Sequence, residues 1–451
     1  MLLYSTNSAQ LQTNFLHAAV QGLANDGGLW MPAQLPTLAP EFFRDLPTMD
    51  FPTMANHVMQ AFIGDEVPAQ DLEPLVRDAF DFDSPLVKIT DTTYALELFH
   101  GPTCAFKDFG ARFMARALSY GRKQRTIAND GNHSTAPNEP SGDLYVLVAT
   151  SGDTGSAVAH GFWNVPGIRV VILYPKGKVS ELQEKQLTTM GGNIAALEVE
   201  GTFDDCQALV KTAFQDSDLM QRLALTSANS INIARLLPQS LYYFRAVALL
   251  PKEERERLVF CTPSGNFGNI TGGLFAKNMG LPITRFIAAS NRNDTFPLYL
   301  QSGVYTAKPS VATPSNAMDV GNPSNFARIE KLYGGSLEAI RKEVLAYSIA
   351  DEATLETVLR VEKEHGYVMC PHTAVGYAAV EQYRTEENDH DSSAIVLATA
   401  HPAKFGEVIE PVLHKAVAVP ERLAEYARKT KHSTVIPPVY EHLKSYLLKG
   451  A

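Results

Sequence analysis

The chain has 451 residues, of which 45% are hydrophobic and 20% charged, and such a composition is typical of a soluble globular protein with more than one domain. Its 39 basic and 49 acidic residues give a formal net charge of -10, so we expect no nucleic-acid partner, which would need a basic surface. No apolar run approaches the ~20 residues that span a bilayer and the N-terminus lacks a signal-peptide pattern, so we expect a cytoplasmic protein without a membrane partner.

The first part of the chain, residues 1–85, predicts a small and mostly helical N-terminal domain, with helical patterns at residues 11–23 and around 54–62. Next come a predicted strand at residues 92–99, a glycine-containing loop and a helix at residues 109–120. Polar and helix-breaking residues then fill positions 123–142, which predicts a surface loop or an insertion.

From residue 145 onward, short apolar runs alternate with helical patterns, which indicates crossover connections and a mainly parallel sheet. We therefore predict an α/β fold with open, mainly parallel, twisted sheets flanked by helices. The last fifty residues predict helices followed by an irregular segment that packs outside the sheet. The predicted domains are an N-terminal domain of residues 1–85, a large α/β domain of residues 86–142 and 257–451, and a smaller α/β domain of residues 143–256.

Lys107 stands in an unusual setting, G-P-T-C-A-F-K-D-F-G-A-R-F, with Phe106 and Phe109 close to it. Burial among apolar groups lowers the pKa of an ε-amine, and lysines that form Schiff bases need that lowering. The alternative is a lysine that begins an amphipathic helix, pairs with Asp108 and extends its ammonium into solvent.

Two loops between a predicted strand and a predicted helix have the composition of anion sites: S-G-D-T-G-S at residues 151–156 and P-S-G-N-F-G-N at residues 263–269. Unpaired N–H groups at a helix start bind a carboxylate or a phosphate. The alternative for the first loop is a turn with Asp153 or Thr154 as the N-cap. The second loop has neither a Walker nor a dinucleotide pattern, and it suits a phosphate monoester held without a metal.

Two further strand ends carry polar residues. The segment S-A-N-S-I-N-I-A-R ends at Arg235, a residue type suited to phosphate recognition, although a lone arginine in a first helical turn is commonly a solvated charge. The segment L-A-T-A-H-P-A-K-F contains His401, but no second histidine or cysteine pair accompanies it at ligand spacing, so we predict no metal site. One hindered lysine, metal-free anion loops and no dinucleotide pattern together point to a phosphorylated aldehyde cofactor bound as a Schiff base.

Five segments, G-L-A-N-D-G-G-L-W, H-G-P-T-C-A-F-K-D-F, A-T-S-G-D-T-G-S-A, P-S-G-N-F-G-N and A-T-A-H-P-A-K-F, resemble those of the longer-chain branch of the threonine synthase family. The resemblance implies a pyridoxal 5'-phosphate enzyme of the tryptophan synthase β-like fold, fold type II, with an extra N-terminal domain. It also implies a lyase of threonine biosynthesis that converts O-phospho-L-homoserine and water to L-threonine and phosphate, by γ-elimination and then β-addition of water.

The resemblance further assigns roles to individual residues. Lys107 would carry the cofactor and move protons, and Phe106 would shield it. The residues implied to bind the cofactor phosphate are Gly265, Asn266, Phe267, Gly268 and Asn269, and Thr399 would face the pyridine nitrogen. The residues implied to bind the substrate are Ser151, Thr154 and Gly155, with Asn229, Ser230 and Arg235 at its phosphate.

Asp153 is implied to lie beside the phenolic oxygen of the cofactor, where two negative oxygens would repel each other. Asp153 is therefore protonated, turned away or displaced by one position. Two other functions stay open at this point: a phospholyase that releases 2-oxobutyrate, and a relative that binds the cofactor without catalysis. The expected partner is a small-molecule substrate, and we expect a monomer or a homodimer.

Overall fold

The computed structural model describes residues 1–131 and 142–450, and in the helix that ends at Gly131 it describes side chains up to Gln124. This helix begins at Lys107 and extends past the predicted end at residue 120. Arginine, lysine and glutamine at positions 122–125 favour the helix, so the prediction that the loop begins at residue 123 was wrong. The rest of that predicted loop lies outside the described residues.

Strands and helices alternate along most of the described chain. The strands are β1 Leu2–Ser5, β2 Gln12–Asn14, β3 Trp30–Pro32, β4 Leu86–Lys88, β5 Thr93–Glu97, β6 Leu144–Ala149, β7 Ile168–Pro175, β8 Ile194–Val199, β9 Ala224–Ser227, β10 Leu258–Pro263, β11 Arg285–Ser290, β12 Val344–Ser348, β13 Ser393–Ala398 and β14 Thr434–Ile436. The α-helices are α1 Phe15–Gln21, α2 Pro40–Asp45, α3 Phe51–Ile63, α4 Ala69–Ala79, α5 Lys107–Gly131, α6 Asp153–Phe162, α7 Glu181–Thr188, α8 Phe203–Gln215, α9 Ser217–Arg222, α10 Ile233–Leu236, α11 Leu241–Leu249, α12 Gly268–Asn278, α13 Thr295–Ser302, α14 Phe326–Leu332, α15 Leu337–Glu343, α16 Asp351–His365, α17 Pro371–Glu387, α18 Gly406–Leu413, α19 Glu421–Ala427 and α20 Tyr440–Leu448.

The chain divides into two compact units. The first unit comprises Met1–Trp30, Lys107–Arg235 and Glu421–Ala451, and the second comprises Met31–Phe106 and Leu236–Pro420. The N-terminal segment contains helices and a small sheet in the order β2-β1-β3. The division into three domains made from the sequence stays a prediction.

The first unit contains a five-stranded sheet in the order β14-β8-β7-β6-β9, whose strands pair in parallel. Strand β6 is buried along its whole length, as expected for a parallel sheet that is covered on both faces. Strand β14 comes from the segment that we predicted to be irregular and outside the sheet, and that prediction was wrong. Its first two residues are exposed and two prolines follow it, so the segment shows neither alternation nor a continuous apolar run.

The second unit contains a six-stranded sheet in the order β12-β11-β10-β13-β5-β4. Strand β4 is antiparallel to β5, and the other pairs are parallel. Helix α17 packs against this sheet through buried side chains such as Val375, Ala379 and Val380. Because β10, β13 and β5 are parallel neighbours, the loops that follow them lie at one edge of the sheet, where open α/β sheets bind ligands.

Among the residues that the structure describes, no helix is both long and apolar enough to cross a bilayer.

Candidate active site

The backbone just before Lys107 is tied to the segment that follows β13. The N–H of Phe106 donates to the Thr399 carbonyl at 2.8 Å, and the N–H of His401 donates to the Cys104 carbonyl at 3.0 Å. Cys104 has a left-handed backbone with φ of 55°, which is uncommon for a residue other than glycine. These contacts fix the point at which helix α5 begins, and Lys107 is its first residue.

Lys107 is partly buried, and the next two residues, Asp108 and Phe109, are fully buried. Asp108 lies close enough to Arg235 to raise the pKa of the guanidinium. A Cβ atom on Gly110 would stand 2.7 Å from the Arg235 carbonyl oxygen. The first turn of α5 therefore packs directly on the Arg235 backbone.

Thr399 follows the last residue of β13 and is buried, with 6% of its surface exposed. Its carbonyl oxygen accepts the hydrogen bond from Phe106. Its hydroxyl has no hydrogen-bond partner within the described part of the chain. A neutral hydroxyl at this edge of the sheet is able to donate a hydrogen bond to the nitrogen of a ligand ring without protonating it.

The loop between β10 and α12 is shaped by its own side chains. Asn269 donates through Nδ2 to the Pro263 carbonyl at 2.8 Å, and its Oδ1 accepts from the Ser264 hydroxyl at 2.5 Å and from the Ile270 N–H at 3.0 Å. Phe267 is held at φ 60° and ψ 14°. The Asn269 side chain thus makes its hydrogen bonds inside the loop, whereas the family resemblance implied a place for Asn269 at the cofactor phosphate.

Several backbone N–H groups of this loop, unlike the Asn269 side chain, make no hydrogen bond within the loop. Within residues 1–131 and 142–450, no acceptor lies within hydrogen-bond distance of the N–H groups of Gly265, Phe267, Gly268 and Asn269. Buried backbone donors are almost always paired, and unpaired donors at a helix start are suited to a phosphate. The donor set therefore fits a phosphate ester.

The loop between β6 and α6 in the first unit also presents donors. Thr150 Oγ1 accepts from the N–H groups of Gly152 at 3.0 Å and Gly155 at 2.9 Å, so the Gly155 N–H is occupied. The N–H and hydroxyl groups of Ser151 and Thr154, in contrast, have no partner among the described residues. Two hydroxyls and two backbone donors at a helix start suit a carboxylate.

Asp153 is buried and its Oδ1 accepts a hydrogen bond from Gln183 Nε2 at 2.8 Å. Ser180 orients this amide, because its hydroxyl donates to Gln183 Oε1 at 3.1 Å. Gly152 has φ of 145°, and a Cβ atom there would lie 2.7 Å from the Gln183 side chain. One carboxyl oxygen of Asp153 thus pairs with Gln183, and whether Asp153 is protonated, turned away from the cofactor or displaced by one position stays a prediction.

Arg235 lies buried at the start of α10, with 3% of its surface exposed. Its Nη1 donates to the Ala228 carbonyl at 2.5 Å. Burial lowers its pKa to about 10, and Asp108 acts in the opposite direction. The guanidinium is therefore not the solvated charge that was the alternative interpretation. In the same segment, Asn229 Oδ1 is buried and has no hydrogen-bond partner among the described residues.

The ring of His401 contacts neighbouring residues of the chain. Its Nδ1 accepts from the Ala403 N–H at 3.2 Å, and its ring packs edge-on against Phe99. Across residues 1–131 and 142–450, no group of three or more His, Cys, Asp or Glu side chains is arranged to hold a metal ion.

Three family models match the chain. A pyridoxal-phosphate dependent enzyme model matches residues 83–399, a threonine synthase N terminus model matches residues 3–80, and a threonine synthase C-terminal model matches residues 373–447. The threonine synthase of Escherichia coli strain K12 is 44% identical over 448 residues, which cover 99% of each chain. The chain belongs to the threonine synthase family.

Solved structures of threonine synthases have the same fold. The crystal structure of the Escherichia coli threonine synthase has a TM-score of 0.87 at 44% identity and covers 100% of both chains. The structure of a pyridoxal phosphate-bound threonine synthase from Brucella melitensis has a TM-score of 0.90 at 34% identity, and covers 99% of this chain and 98% of that one. The predicted fold class, the enzyme class and the pyridoxal 5'-phosphate cofactor are confirmed.

The residues of this chain fit the cofactor. The four unpaired N–H groups at the end of β10 suit its phosphate, and the Thr399 hydroxyl at the end of β13 suits its ring nitrogen. A Cβ atom on Gly265 would lie 2.7 Å from Met318 Cα, so the loop reaches this shape only with glycine at that position.

Several side chains that hydrogen-bond to residues of the candidate site could not be identified from the sequence, because most of them lie outside the glycine-rich loops. The missed residues are Gln183 beside Asp153, Asn325 and Arg328 behind the loop after β10, and Lys404. The buried Lys404 donates through Nζ to the Thr103 carbonyl at 2.8 Å. Only Lys404 had a signal, because it stands in the A-T-A-H-P-A-K-F segment that carried the resemblance.

Proposed function

We propose that this protein converts O-phospho-L-homoserine and water into L-threonine and phosphate, by γ-elimination and then β-addition of water. Membership in the threonine synthase family supports this reaction. The observation that carries it is the set of unpaired N–H groups in the loop after β10, at the same edge of the sheet as Thr399, which follows the neighbouring strand β13. When bound, the cofactor supplies an electron sink that is conjugated with the substrate amino group.

Lys107 is the residue to which we assign the cofactor and the proton transfers. Its ε-amine, once free, would move protons at the α and β carbons of the substrate. The fixed backbone before it, tied through Phe106 to Thr399, supports this role because general base catalysis needs a defined position. Phe106 would shield the reacting bond from water.

We assign the cofactor phosphate to the residues of the loop after β10: Gly265, Asn266, Phe267, Gly268 and Asn269. In this assignment the backbone N–H groups bind the anion and the Asn269 side chain keeps the loop in shape. The Thr399 hydroxyl would donate a hydrogen bond to the ring nitrogen, leaving it unprotonated.

We assign the substrate carboxylate to the loop after β6. Ser151, Thr154 and Gly155 would line the substrate carboxylate, with the first two as donors and Gly155 providing close packing. Asp153 would lie beside the cofactor with one oxygen engaged by Gln183.

The substrate phosphate is assigned to three residues of the segment after β9, Asn229, Ser230 and Arg235. The buried cationic guanidinium supports this assignment, since a desolvated charge interacts strongly with an anion.

Further parts of the proposal concern the whole molecule. Threonine synthases act on a small-molecule substrate, and we propose a cytoplasmic monomer or homodimer that binds no nucleic acid. The net charge of -10 supports the last point. We also propose three domains, which comprise residues 1–85, residues 86–142 with 257–451, and residues 143–256.

The test is a phosphate-release assay on the purified protein with O-phospho-L-homoserine, combined with product analysis. We expect threonine and phosphate in equal amounts. Formation of 2-oxobutyrate and ammonia in place of threonine would instead identify a phospholyase. An absorption band of the lysine-bound cofactor that persists in Lys107→Ala would contradict the assignment of Lys107.

A further inference from the structure

A buried cation lies behind the loop that follows β10. Arg328 on helix α14 has no exposed surface, and burial lowers its pKa to about 9. The guanidinium is still charged at neutral pH, and a buried charge is expensive unless hydrogen bonds and nearby groups compensate for it. The charge of Arg328 is therefore expected to be compensated by the polar groups packed around it.

Arg328 is connected to the loop through one amide side chain. Its Nη1 donates to Asn325 Oδ1 at 2.6 Å, and Asn325 Nδ2 donates to the Asn266 carbonyl at 3.0 Å. A guanidinium has only donors, so the oxygen of the Asn325 amide must face Arg328. The amide nitrogen must then face Asn266, and Arg328 thereby sets the orientation of the donor.

The Asn266 carbonyl in turn fixes the direction of the next N–H group. In a trans peptide the C=O of one residue and the N–H of the next point in opposite directions, and no described peptide bond is cis. Because the Asn266 oxygen faces Asn325, the Phe267 N–H points to the other side of the loop. That N–H is one of the donors without an acceptor in the described chain.

A second contact keeps the same residue in place. The Ser324 N–H donates to Asn266 Oδ1 at 2.6 Å, so both the main chain and the side chain of Asn266 are held by consecutive residues before α14. Phe267 meanwhile has a left-handed backbone, a conformation that persists in an aromatic residue only when its surroundings enforce it. The contacts of residues 324 and 325 with Asn266 contribute to that enforcement.

We propose that Arg328, acting through Asn325, is a positioning residue for the cofactor phosphate. It directs the Phe267 N–H at the anion, and its positive charge favours a dianion on the other side of the loop. This inference rests on the proposed assignment of residues 265–269 to the phosphate.

The most informative variant is Asn325→Asp. Aspartate has the size of asparagine and still accepts from Arg328, but its side chain has no donor for the Asn266 carbonyl, which retains the longer bond from the Asn325 backbone N–H at 3.4 Å. We expect the dissociation constant of pyridoxal 5'-phosphate, measured by titrating the apoprotein, to rise on the order of tenfold or more. The phosphorus NMR resonance of the bound cofactor should shift relative to the wild type. The unfolding temperature of the apoprotein should equal or exceed that of the wild-type apoprotein, because Arg328 gains a charged partner.

Arg328→Met and Arg328→Lys extend the test. Methionine removes the charge and should lower the unfolding temperature of the holoprotein more than that of the apoprotein, whereas a purely structural role would lower both equally. Lysine keeps the charge and should restore part of the cofactor affinity. The matched control is Arg341→Met, since Arg341 donates to the Leu300 and Gln301 carbonyls at 2.6 and 3.1 Å; cofactor affinity should be unchanged there.

Wild-type affinity and an unchanged phosphorus resonance in Asn325→Asp would overturn the proposal. Failure of the loop assignment itself would look different. In that case Gly265→Ala, which disturbs the loop directly, would also leave cofactor affinity unchanged. A loss in Gly265→Ala without a loss in Asn325→Asp would overturn only the role of Arg328.

Discussion

Two glycines of the same loop, Gly265 and Gly268, should respond differently to the same substitution. A Cβ atom on Gly265 would lie 2.7 Å from Met318 Cα and 3.1 Å from the Ala317 carbonyl oxygen. Carbon atoms normally approach to about 3.5–4.0 Å, so one backbone segment must move by roughly 1 Å in Gly265→Ala. Overpacking of this kind costs about 1–3 kcal/mol. If the loop must return to its present shape to bind the phosphate, the dissociation constant of the cofactor should rise about 5- to 150-fold.

Gly268→Ala is the matched control. The nearest atoms to a Cβ at this position are Asn325 Nδ2 at 3.5 Å and Gln239 Nε2 at 3.6 Å, which are ordinary contacts. Neither Gly265 nor Gly268 has a positive φ, so steric contact alone separates the two variants. Both should be titrated as apoproteins with pyridoxal 5'-phosphate, following the absorption band of the lysine-bound cofactor. Wild-type affinity in Gly265→Ala, or weaker binding in Gly268→Ala than in Gly265→Ala, would refute the steric reasoning.

Three more substitutions give distinct outcomes. Burial raises the pKa of the Asp319 carboxyl from 3.8 to about 6, so the stabilising contribution of the protonated carboxyl is complete below pH 3.8 and is lost as the pH rises through about 6. Asp319→Asn should remove this pH dependence from the free energy of unfolding, which urea titrations at several pH values measure. The same pH dependence in both proteins would contradict the prediction. Gln183→Glu replaces the amide that donates to Asp153 by a second carboxyl group. The two carboxyl groups must then share a proton, so kcat/KM should fall at high pH relative to low pH. A pH profile of kcat/KM equal to that of the wild type would argue against the contact between residues 183 and 153. Lys404→Met leaves the buried Thr103 carbonyl without its side-chain donor and should lower the free energy of unfolding by about 1–3 kcal/mol, with calorimetry as the check and unchanged stability as the contrary result.

The sequence predicted the strand-to-helix loops that we assign to the site, because local composition determines such loops. Glycines, hydroxyl residues and asparagines between an apolar run and a helical run mark a turn that exposes N–H groups. This is why the loop after β10 and the loop after β6 could be predicted from residues 263–269 and 151–156. The assignment of Thr399 has a different origin, because it came from the family resemblance.

The side chains that hold these loops could not be predicted, because their contacts join segments far apart in the chain. Gln183 lies 30 positions from Asp153, and Asn325 lies 59 positions from Asn266. Neither segment has unusual composition, and an amide on a helix or before one is ordinarily interpreted as a surface residue. Only the packing of the folded chain shows which amides are buried.

The same limit explains why Asn269 was assigned to the ligand. From the sequence, an asparagine in a glycine loop looks like a donor to an anion. In the structure its amide donates to the Pro263 carbonyl at the end of β10, just as Asn325 donates to the Asn266 carbonyl and Lys404 to the Thr103 carbonyl. Carbonyl oxygens that leave a buried strand must find donors, and in this site side chains provide them. In the proposed assignment, the backbone N–H groups on the opposite side of the loop bind the phosphate, and polar side chains hold the loop in the shape that this requires.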